Sequence, residues 1–168
     1  MSEEIINKVA QSALTTIDLE TLYPKEDIVV FDLKPFLFME MIIKEKDFRA
    51  SLPEVDWTAY QDKKVAVNCS ADAIIPMWAY MLVASYLQPV ASEIFFGTAA
   101  QVASEILVKN IRALDPNEFA DKRIVVKGCG ELGIGPVAYL EITTKLRAVA
   151  KSIMYGEPCS TVPIYKKK

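Results

Sequence analysis

Apolar residues in the second two-thirds of the chain fall into four short, β-rich runs: Val65–Cys69, Glu93–Phe96, Arg123–Lys127 and Ser152–Tyr155. Each has the length of a buried strand. Their starts lie about 30 residues apart, the size of a βαβ unit. Helical patterns fill the gaps. The first runs from Asp72 to Leu87, with Asp72 as its cap and Pro76 in the first turn, where the missing N–H costs little. The second runs from Thr98 to Leu114. Thr98-Ala99-Ala100-Gln101 has the capping-box form, and Val102, Ile106, Leu107 and Ile111 share one face. The third runs from Pro136 to Ala150, and either stops there or continues through Ser152–Tyr155.

Alternating strands and helices predict an α/β fold, a mostly parallel sheet flanked by helices and joined by right-handed crossovers. Residues 1–62 are less regular. They read as a helix over Glu3–Ala13, a strand over Ile28–Leu33, a strand pair or a helix over Phe36–Phe48, and a helical turn opening at Asp56-Trp57. The expectation is one domain over 1–168, with an irregular α+β N-terminal subregion (1–62) and a βα-repeat core (63–168). No linker or low-complexity run is evident, and no internal repeat beyond the unit spacing.

Composition narrows the function. Hydrophobic residues make up 52% of the chain and the mean hydropathy is +0.20, which asks for a large interior or a covered surface. The longest apolar run, Ala73–Leu87, is broken by Pro76 and falls short of the roughly 20 residues of a membrane span. The acidic opening Met1-Ser2-Glu3-Glu4 is unlike a secretory signal, so a cytoplasmic location is expected. A net charge of −3 argues against bulk attraction to nucleic acid, and Lys166-Lys167-Lys168 reads as a solvated end. Histidine is absent from the sequence. That removes Ser-His-Asp and Cys-His catalysis and every histidine metal site. A general base must then be Asp, Glu, Lys, Tyr or a thiolate.

The chemistry-bearing residues left are Cys69, Cys129 and Cys159, which fall just past the first, third and fourth core strands. Parallel sheets bind ligands at those carboxyl ends. A core strand order of 2-1-3-4 would make the three strands neighbours. Reduced thiolates suit zinc, copper(I) or an iron–sulfur cluster, with Asp72, Glu131 or Glu157 as a fourth ligand or an open position in its place. Two other readings stand beside this one: a reactive thiol carrying sulfur, and cysteines that merely pack. Trp78, Tyr80 and Met81 read as core, and Lys127 and Lys151 as solvated ends.

A rival site lies in Lys127–Pro136, where Gly128, Gly130 and Gly133 match G-x-G-x-x-G between a strand and a helix. Such a loop can cradle a phosphate with backbone N–H groups. Against a dinucleotide, it follows the third strand, and no acidic residue stands about 20 positions on.

The segments Cys69–Met81, Lys127-Gly128-Cys129 and Lys151–Tyr165 (KSIMYGEPCSTVPIY) resemble a bacterial family, domain of unknown function 2480, over nearly the whole chain. The resemblance implies a role in sulfur or iron–sulfur handling, accessory to iron–sulfur assembly. Its expected partners are a protein of that metabolism or a second copy of the chain, with no nucleic acid and no membrane. A small-ligand domain built on the glycine loop and a non-catalytic interaction protein are the alternatives.

Overall fold

Val65, Ala66 and Val67 are all buried on β3 (Lys64–Asn68), and Ile124, Val125 and Val126 on β5 (Arg123–Lys127). A strand covered on both faces reads as a continuous apolar run, the mark of a central parallel strand. The computed structural model, which describes residues 13–128, 130–157 and 159–168, places these two strands at the centres of two different sheets. In one, β2 (Ile28–Asp32), β3 and β4 (Glu93–Phe96) run parallel in that order. In the other the order is β1 (Leu14–Asp18), β5, β6 (Ser152–Glu157) and β7 (Ser160–Lys166), with β7 alone antiparallel.

The α/β class therefore holds, but the strand order 2-1-3-4 does not. The first two core strands share one sheet and the last two the other. An apolar run reports that a strand is central without saying what flanks it. The flanks of β3 and β5 include β2 and β1, from the stretch read as an irregular subregion.

The chain divides into two compact units. Unit 2 is Pro24–Ala103; unit 1 comprises the chain up to Tyr23 and Ser104–Lys168. They are copies of one another, which overturns the expectation of no internal repeat. From Glu45 to Gly97 and from Ser104 to Gly156 the correspondence runs without a gap. The buried positions coincide: Phe48 with Leu107, Leu52 with Ile111, Ala79 with Ala138, Val83 with Ile142, Leu87 with Leu146. So do the turns. Asp56 and Asp115 each cap a 3₁₀ turn, and Asp62 and Asp121 each sit at positive φ. The leading strands end alike, in Ile17-Asp18-Leu19 and Phe31-Asp32-Leu33. Because those strands come one after the other before the rest of either copy, the offset that aligns the later segments does not extend to them, and few identities survive to reveal the repeat.

Local chemistry sets the helix bounds. Helix α1 is Glu45–Ser51, preceded by a bridge between Phe38 and Ile42. Helix α2 spans Met77–Leu87 with Pro76 as its cap, not Asp72. A proline drives the residue before it toward extended backbone, so the helix opens only after Pro76. Helix α3 (Ala99–Ala113) begins with the expected capping box: Thr98 N–H donates to Gln101 Oε1 (2.9 Å) and Gln101 N–H to Thr98 Oγ1 (3.2 Å). Helix α4 (Pro136–Leu146) stops at Leu146, and Ser152 onward is strand. The expected Glu3–Ala13 helix lies outside the described residues, except Ala13. No helix among the described residues is long and apolar enough to cross a membrane.

The two cores differ in material. Unit 2 packs aromatics: Phe31 stacks on Phe36 (5.6 Å) and Trp57 (5.4 Å), and Phe48 meets Phe36 edge-on. Unit 1 buries aliphatic side chains, among them Leu19, Leu107, Ile111, Ile124, Ile142, Leu146 and Ile153. Leu87→Ala and Leu146→Ala empty equivalent, fully buried sites. Each is expected to cost about 2–5 kcal/mol in urea denaturation. A much smaller loss in either variant would contradict its core assignment.

Candidate functional site

The carboxyl ends of β2, β3 and β4 surround a cleft of about 560 Å³, within the range of small-molecule sites. Two side chains tie the three strand exits together. Asp32, the last residue of β2, accepts the Lys34 N–H (2.9 Å), the Ser70 N–H (3.0 Å) and the Ser70 hydroxyl (2.5 Å). It thereby holds the turn after its own strand and clamps the loop after β3. Asn68, the last residue of β3, donates from Nδ2 to the Gly97 carbonyl (2.7 Å), just past β4.

Among the described residues, Asp32 is the only charged one in the cleft wall. Partial burial pushes its carboxyl up, but the Ser70 hydroxyl and the Lys34 and Ser70 amides outweigh this and hold it below the usual carboxylate range. Tyr80, on α2, is pushed up by burial and by the neighbouring Cys69, so its phenol stays protonated. Its ring meets Phe96 edge-on at 5.6 Å. Thr98 and Gln101 close the wall from the start of α3.

The same strand ends in unit 1 are built differently. Asp18 answers to Asp32, but Lys127 stands where Asn68 would be. Its ammonium lies 3.7 Å from Asp18 and 3.7 Å from Glu157. The space left is about 140 Å³, lined by Asp18, Glu20, Lys127, Gly128, Gly130 and Glu157. A Cβ at Gly130 would meet the Glu20 carboxylate, which would have to swing aside. One oxygen of Glu20 is buried without a hydrogen-bond partner among the described residues. Three carboxylates against one lysine make a poor phosphate cradle. Gly133, at φ +60, supplies the turn that leads to α4.

Residues 3–167 match the family described as protein of unknown function (DUF2480). The chain belongs to that family. No curated protein and no solved structure matches it.

In this family member two of the three cysteines are described. Cys69 is half-buried in the wall of the unit 2 cleft. Cys159 is exposed in the turn between β6 and β7, and Cys129 lies outside the described residues. Convergence required the first, third and fourth core strands to be neighbours. Instead Cys69 follows a strand of one sheet, and the other two follow strands of the second. Among the described residues no three metal-ligating side chains gather. Of the proposed fourth ligands, Asp72 and Glu131 are exposed and Glu157 pairs with Lys127. Asp32, Asn68 and Phe96 were not singled out from the sequence. The available signal was the repeated Asp-Leu after two apolar runs.

Asp32→Ala removes the acceptor of the Lys34 amide and the clamp on the Ser70 loop together. At pH 7 it is expected to cost about 0.5–1.5 kcal/mol in urea denaturation. The folded carboxyl titrates below its ordinary range, so its contribution is complete above about pH 4 and lost as pH falls through the folded value. The gap between variant and wild type should therefore narrow at pH 3. A gap constant with pH would sink the assignment.

Proposed function

We propose that unit 2 binds a small, neutral or cationic organic molecule in the cleft at the ends of β2, β3 and β4. The observation that carries this is a 560 Å³ cleft whose strand exits are braced by Asp32 and Asn68 and whose wall holds no positive charge among the described residues. A phosphate or polyanion would face Asp32 unpaired. A ring can lie against Phe96 and Tyr80, while Asn68, Thr98 and the Tyr80 hydroxyl offer hydrogen bonds and Asp32 offers charge to an amine. Cys69 shares this wall, so a thiol reaction with the bound molecule is compatible with the same geometry. The sulfur-handling role implied by the family resemblance would then operate through Cys69 alone, not through a three-cysteine cluster.

A thermal-shift screen of aromatic amines and neutral heterocycles at 1 mM tests the reading. A compound with Kd about 10 μM stabilises by about 2.7 kcal/mol at that concentration. In a Cys129→Ser, Cys159→Ser background, a bulky maleimide on Cys69 should abolish the shift. Hits indifferent to the maleimide, or no hits at all, would refute the site.

A further inference from the structure

The two copies end differently. After Gly156, at φ +113, the chain turns back as β7 along β6; after Gly97, at φ +132, it enters α3. The edge that β7 covers in unit 1 is therefore open in unit 2: no strand among the described residues pairs with β4 on the side away from β3. The Gly97 N–H donates toward β3, to the Val67 carbonyl (3.1 Å). Alternation then turns the amides and carbonyls of Ile94 and Phe96 outward. Their counterparts Ile153 and Tyr155 lie opposite Tyr165 and Val162 of β7.

The side chains tell the same story. In unit 1, Ile164 of β7 shares an apolar groove with Leu140 and Tyr155. The matching positions in unit 2 are Met81 and Phe96, with Met77 beside them. Phe96 is 72% exposed where Tyr155 is 39% exposed, and Met77 and Met81 are each 71% exposed. The charges also differ. Unit 2 holds seven lysines and arginines against eleven aspartates and glutamates, a net charge of −4, whereas β7 runs into Lys166-Lys167-Lys168.

We propose that β4 is a strand-addition site: it takes an extended segment of a partner protein, antiparallel, with apolar side chains at alternate positions and a lysine- or arginine-rich end. The backbone ladder supplies affinity, and Met81 and Phe96 receive the alternate side chains. This edge borders the ligand cleft: Phe96 belongs to both, whereas Met77 and Met81 lie outside the cleft wall.

The probe is a synthetic peptide with the chain's own β7 sequence, STVPIYKKK, added to the full-length protein and followed by amide hydrogen exchange. Protection is expected at Ile94 and Phe96. N-methylation of the peptide's valine and tyrosine, replacement of its lysines by glutamate, and Met81→Asp in the protein should each weaken binding at least ten-fold. Protection confined to Ile153 and Tyr155 would mean exchange with the resident β7, and would overturn the proposal. So would binding indifferent to N-methylation. Protection of Ile94 and Phe96 that rises with protein concentration and needs no peptide would assign the edge to a second copy instead.

Discussion

Everything at the mouth of unit 2 depends on how its parallel strands are stopped. A strand that simply ends leaves its last polar groups to solvent and its loop free to wander. Here Asp32 and Asn68 spend their hydrogen bonds sideways, on the loops after the neighbouring strands. The three exits are locked at fixed spacing, and the cleft between them is preorganised. In unit 1 the same task falls to Lys127, between Asp18 and Glu157. A long charged side chain drawn to two carboxylates fills the space that a short amide leaves open. The exchange of Asn68 for Lys127 is one of the differences between the larger cleft and the smaller one.

Much of the fold was legible because central parallel strands carry unmixed apolar runs. Glu93–Phe96 and Arg123–Lys127 are strands at the expected bounds, and Thr98 and Gln101 form the expected box. Strand partnership was not legible. Ile28–Asp32 and Leu14–Asp18 are short edge strands with mixed burial. Nothing in their composition says that each flanks a different central strand. The cysteines drew attention because thiols carry chemistry, but their proximity depended on that unreadable pairing. Among the described residues, Cys69 lines the cleft and Cys159 does not. The most informative neighbour of Cys69, Asp32, reads in the sequence as an ordinary turn residue.

The repeat also accounts for features that look arbitrary in either unit alone. Asp62 and Asp121 hold positive φ at the same place because the same tight turn feeds both central strands. Tyr80 and Tyr139 each meet an aromatic ring edge-on, Phe96 in one copy and Tyr155 in the other, at 5.6 and 5.7 Å. Where the copies depart, after the final glycine, they depart in what they do with an exposed edge. Unit 1 covers its own with β7, on which Pro163 withholds an N–H from any further strand. In unit 2 no strand among the described residues covers the short β4.

The interleaved order of the copies has a consequence for synthesis. Unit 2 is continuous, so all of its strands have been made by the time Ala103 leaves the ribosome. Unit 1 is split: Leu14 pairs with Arg123, and β1 has no parallel neighbour until β5 appears. The chain therefore emerges with one unit able to close early while the first strand of the other waits, its apolar face still exposed. Loop closure over such a separation costs only slowly more with length, so the delay is chiefly one of time. The early segment stays unpaired for as long as the ribosome takes to deliver β5.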